Sequence, residues 1–82
     1  MEPATAPQFV VPEGWSFVWE DGPGIERRVG DWVLAISDET SDGNGWGWWV
    51  CPVGSSISVR KGRRGSLEAA VFASVDALLG LL

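Results

Sequence analysis

From Trp15 onward the chain alternates. Trp15, Phe17 and Trp19 fall on one side and Ser16, Val18 and Glu20 on the other, the period-two pattern of a strand. Asp21-Gly22-Pro23-Gly24 then marks a turn, because glycine tolerates positive φ and proline fixes its own. A second arm from Glu26 to Ser37 alternates Trp32, Leu34 and Ile36 with Val33 and Ala35, and Gly30-Asp31 is expected to bulge near its start. Asp38 to Gly45 holds only polar residues and glycine, the composition of a flexible acidic hairpin tip. Next, Trp46, Trp48 and Val50 oppose Gly47, Trp49 and Cys51 in a third strand that Pro52 and Gly54 terminate. Ile57 and Val59, alternating with Ser56, Ser58 and Arg60, predict a short fourth strand, and Lys61 to Gly65 reads as a basic turn.

Beyond Ser66 the period changes to that of a helix over 67–82, with Ser66 as its N-cap and Glu68 favourably placed in the first turn. Leu67, Val71, Val75, Leu78 and Leu82 form one stripe, which Ala70, Leu81, Phe72 and Leu79 widen. The apolar arc reaches about half the circumference, against the ~100° of an ordinary surface helix. Such a helix is expected to lie deeply across the sheet; the alternative is that Phe72 or Leu79 also touches a second molecule. Residues 1–13 carry Pro3, Pro7 and Pro12 and no periodicity beyond Phe9-Val10-Val11, which predicts an extended or disordered arm with one apolar patch. The fold expected is α+β: an N-terminal arm (1–13), then a single domain (14–82) made of a four-stranded antiparallel meander with one C-terminal helix packed on one face.

The covered face is expected to hold Trp15, Phe17, Trp19, Trp32, Leu34, Ile36, Trp46, Trp48, Val50, Ile57 and Val59. A few large rings are an efficient way for a short chain to bury area, so most tryptophans are read as core. The same alternation puts Val18, Val33, Ala35, Trp49 and Cys51 on the other face, where a solvated sheet carries Thr, Lys and Glu. Either the arm around Phe9-Val10-Val11 covers this face or a partner does, and Trp49 is the residue of most interest, since tryptophan is enriched at binding hot spots.

Composition narrows the chemistry. At 82 residues there is room for one small core and none for a deep cleft behind it. With no His and a single Cys, the chain has no Ser-His-Asp triad, no Cys-His pair and no zinc site built on His or paired Cys. An enzyme is not expected, nor a metal or cofactor. The loop from Asp38 begins like a calcium loop, but its twelfth position is Trp49 where a bidentate Glu is needed. Adjacent acids such as Glu20-Asp21 and Asp38-Glu39 are poorly placed for paired acid–base work on a glycan.

The net charge of −5 argues against affinity for nucleic acid or an anionic membrane. Residues 1–50 hold Glu2, Glu13, Glu20, Asp21, Glu26, Asp31, Asp38, Glu39 and Asp42 against Arg27 and Arg28 only, whereas Arg60, Lys61, Arg63 and Arg64 give the C-terminal part a basic run. That run is a possible nucleic-acid contact, beside the alternative of a solvated turn that protects the sheet edge. In a four-stranded meander Glu20-Asp21 and the 38–45 loop lie at opposite ends of the sheet, so the acids form two separate patches. No run approaches the roughly 20 apolar residues of a membrane span, and the first residues lack the features of a signal peptide. A cytoplasmic location is expected, in keeping with the unpaired Cys51.

A short acidic chain with Trp46-Gly-Trp48-Trp49, a terminal Ser-Leu-Glu-Ala-Ala-Val helix and no catalytic constellation is similar in kind to the small orphan proteins of phages and mobile elements, anti-CRISPR proteins among them. The resemblance implies a phage-encoded stoichiometric inhibitor acting in a bacterial host, which occupies a basic nucleic-acid-binding surface or subunit interface of a defence complex such as a CRISPR effector. The contact residues expected are Glu20, Asp21, Asp38, Glu39, Asp42 and Trp49. Two other classes stay open: a structural module that is monomeric or pairs with its own copy, and a nucleic-acid binder through Arg60, Lys61, Arg63 and Arg64.

Overall fold

Alternation in short segments separated by glycine-rich turns dictates hairpins, and hairpins chained in sequence give a meander. In the computed structural model, which describes residues 9–19 and 22–82, the strands are β1 (Ser16–Trp19), β2 (Pro23–Val29), β3 (Trp32–Asp38), β4 (Trp46–Pro52) and β5 (Arg60–Arg64). They pair antiparallel in the order β1-β2-β3-β4-β5, and α1 (Leu67–Leu81) follows. The α+β class, the meander and the C-terminal helix are as the patterning predicts. The sheet has five strands rather than four.

The extra strand comes from Gly30-Asp31, which is a turn and not a bulge. Val29 pairs with Trp32 across it, and Gly30 has φ +61°, the left-handed conformation that such a turn requires. A two-residue turn and a one-residue bulge each shift the alternation by one position, so the hydrophobic phase reads the same for both.

The last strand also lies elsewhere than expected. Ile57 is 75% exposed and Val59 40%, both in the connection, and the strand is formed by Arg60–Arg64, the residues expected to turn. β5 pairs with β4 from Trp46 opposite Arg64 to Val50 opposite Arg60. It is an edge strand held by backbone hydrogen bonds, and its charges guard the free edge, so it shows no apolar alternation.

One face of the sheet carries the core. Ile25, Leu34, Ile36 and Val50 are completely or almost completely buried, with Trp15, Trp46 and Trp48 beside them and Leu67, Ala70 and Leu78 supplied by α1. The expected face needs correcting: Ile25 and Val29 join it, Trp19 is 43% exposed, and Ile57 and Val59 leave it. Ser66 caps α1 as predicted, its Oγ accepting from Ala69 N at 3.2 Å. The helix packs over β3, β4 and β5, and its buried side centres on Leu67, Ala70, Ser74 and Leu78. Small residues let it approach a sheet already filled by indole rings, and this rotates it away from the stripe expected from Leu and Val alone. Phe72, Leu79 and Leu82 are left exposed. Ser74 is fully buried, and its hydroxyl donates to Val71 O at 2.8 Å.

Phe9 and Val11 pack on the same face. The Phe9 ring centroid is 6.1 Å from that of Phe17 and meets Trp46 edge-on at 5.2 Å. Phe9 and Val11 therefore add to the core layer and do not cover the opposite face, and Val10 is exposed. Residues 1–8 of the expected arm lie outside the described residues.

Gly62 shows how closely this layer is fitted. A Cβ there would lie 2.9 Å from Cε2, Cζ2 and Nε1 of Trp48, whose Nε1 is buried without a hydrogen-bond partner among the described residues. Trp48 is pinned within the core, so the ring cannot swing aside. Gly62→Ala should lower stability by about 1–3 kcal/mol, seen as a lower urea midpoint at unchanged slope.

Candidate interaction site

On the opposite face the register aligns Ser16, Glu26, Ala35, Trp49 and Lys61 in one row and Val18, Gly24, Ser37, Gly47 and Arg63 in the next. Among the described residues, α1, Phe9 and Val11 pack on the other side. The face is hollowed into a groove of about 530 Å³, whose apolar lining is Val18, Ala35, Trp49 and Cys51 and whose acidic lining is Glu26, Asp38, Glu39 and Asp42. Trp49 is half-buried. A second hollow of about 310 Å³ lies on its other side, lined by Gly47, Lys61, Gly62 and Arg63 as well.

Hydrogen bonds within the acidic loop, whose composition predicts a flexible tip, give it a defined path. Asp38 accepts from Thr40 N at 3.0 Å and from Thr40 Oγ1 at 2.6 Å, the side-chain turn that Asp readily makes. A 3₁₀ turn at Thr40–Asp42 follows, and the Glu39 carbonyl accepts from Asp42 N and Asn44 N, each at 3.1 Å. Asp38 thus holds the loop in shape, while Asp42 is exposed.

Gly47 brings the remaining groups together. A Cβ there would lie 3.0 Å from Trp49 Cη2 and 3.4 Å from Glu39 Oε1, so the tip of the indole and the carboxylate flank one bare spot of β4. With no side chain in between, Glu39 at the end of β3 reaches across β4 and pairs with Arg63 on β5. Neighbouring strands stand about 4.8 Å apart, and two long side chains span that double gap only where the middle strand is empty.

The five-strand order revises where the expected site residues sit. Trp19, Pro23, Asp38 and Trp46 all lie at one end of the sheet. Glu20 and Asp21 themselves lie outside the described residues, but the residues flanking them stand at the same end as the 38–45 loop and not at the opposite one. The turn at Gly30-Asp31 adds one more reversal between the two segments. The basic run, in contrast, is divided: alternation along β5 sends Lys61 and Arg63 to the groove side and Arg60 and Arg64 to the helix side. Arg60 and Arg64 bond the carbonyls of Val59 and Arg63 through Nη1, at 2.8 and 2.7 Å. Glu26 in the groove and Gly47 in the second hollow are absent from the expected set. Glu26 was legible only with a hairpin turn at Gly30-Asp31, and Gly47 only with β5 in place.

No protein family, curated protein or solved structure matches the chain.

Cys51 lies in the groove, and partial burial raises its thiol pKa above the ordinary value. Because the thiolate is the reactive form, alkylation by iodoacetamide at pH 8 should be slower in the native protein than in urea. Equal rates would place the thiol in open solvent.

Proposed function

We propose that the protein is a small protein-binding module that takes a basic segment of its partner into the groove on the sheet face opposite α1 and thereby blocks that partner's surface. The observation that carries this reading is the half-buried Trp49 in a groove whose lining joins apolar side chains to four carboxylates. A net charge of −5 steers a basic partner toward the molecule, and removal of the apolar lining from water supplies affinity. The resemblance in kind to anti-CRISPR proteins makes the nucleic-acid groove or a subunit interface of a bacterial defence complex the first partner to try. The division of the β5 cations between two faces argues against the nucleic-acid alternative.

A second reading, self-association, is favoured by Phe72 at 76% and Leu79 at 63% exposure on α1. Light scattering at micromolar concentration separates the two, since a stable dimer lost in Phe72→Glu supports self-association.

Partner capture from nuclease-treated lysate of bacteria carrying an active CRISPR system, followed by binding kinetics on the purified partner, tests the groove. Trp49→Ala should weaken binding by about tenfold or more through a faster off-rate, with the urea midpoint near that of the wild type. Added salt should slow association. If Trp49→Ala is simply unfolded, the ring belongs to the core; if it binds as the wild type does, the groove is not the contact.

A further inference from the structure

Arg63 is an internal occupant of the acidic groove's margin. Its guanidinium pairs with Glu39, which lines the groove, while Arg63 itself lines the smaller hollow on the other side of Trp49. The side chains are 57% and 25% exposed for Arg63 and Glu39, and an ion pair this open to water contributes little and exchanges easily. The carboxylate is the less accessible member and is fixed beside the indole tip above Gly47. A guanidinium seated there gains a planar, two-pronged contact with the carboxylate and lies against an aromatic ring.

We propose that the Arg63–Glu39 pair is a latch, and that an arginine of the partner opens it by replacing Arg63 on Glu39 beside Trp49. This rests on the reading of the groove as the seat of a basic segment. It makes the recognised chemistry a guanidinium and not positive charge in general. Lys61 supplies the internal control. It stands opposite Trp49, one strand position from the row of Arg63 and on the same face, so removing either charge changes the long-range field alike. Only the loss of Arg63 frees Glu39.

The test uses fluorescently labelled hexa-arginine as the probe, with anisotropy at low salt and protection of Cys51 from iodoacetamide as readouts. Arg63→Gln should bind the peptide about threefold more tightly than Lys61→Gln does, the scale of an exposed ion pair. The advantage should vanish in the Glu39→Gln background, in a double-mutant cycle. Hexa-lysine should bind more weakly than hexa-arginine and show no advantage for Arg63→Gln. Equal affinities of Arg63→Gln and Lys61→Gln, or an advantage that survives Glu39→Gln, overturns the latch while leaving the groove in place. Binding without protection of Cys51, or no binding to wild type and Arg63→Gln alike, overturns the groove reading and the latch with it. Thermal melts of each variant identify a loss of fold; Arg63 lies on an exposed edge strand, where glutamine fits without repacking.

Discussion

Large rings set against small residues are the constraint on which the rest of the architecture depends. Trp46 and Trp48 fill one side of β4, and the layer above them closes because α1 meets the sheet with Ala70 and Ser74 and β5 presents Gly62. A short chain has few side chains to bury, so it gains area through indoles and accommodates their bulk by placing small side chains, or none, at the facing positions. The same requirement orients the helix. Ala70 and Ser74 turn inward between Leu67 and Leu78, and Phe72 and Leu79, which a hydrophobicity count assigns to the core side, turn outward.

Among the described residues, the elements that cover the sheet lie on one face. Phe9 and Val11 fill the layer at the side where Phe17 and Trp46 lie, and α1 lies over β3 to β5. The opposite face therefore keeps an apolar groove, bordered by a loop that its own hydrogen bonds hold in place. Glycine acts on this side too, since the bare backbone at Gly47 makes room for the Trp49 ring and for the carboxylate of Glu39. Fold and candidate site thus follow from one device, the pairing of tryptophan with glycine across or along a strand.

Several elements were legible before any tertiary information. Trp32 to Ile36 and Trp46 to Val50 alternate without interruption, and each is a strand at those positions; Ser66 and Glu68 mark the start of α1 where it begins. Val18, Val33, Ala35, Trp49 and Cys51 were assigned to the face opposite the core by the same alternation, and all but Val33 line the groove. The misreadings have definite causes. A two-residue turn at Gly30-Asp31 leaves the phase of a bulge, and an edge strand stabilised by backbone hydrogen bonds with charged side chains leaves no hydrophobic pattern at all.

The sequence by itself determined the period of the apolar segments, the cap of the helix, the excess of acid over base and the lack of any histidine, because these depend on residue type and spacing along one chain. Tertiary structure decided the strand count, which end of the sheet each turn occupies, and which residues meet above Gly47. Glu39, Gly47 and Arg63 lie on three different strands or their ends, and only the hydrogen-bonded register of β3, β4 and β5 brings them together. Register is a property of paired strands, and no single segment carries it.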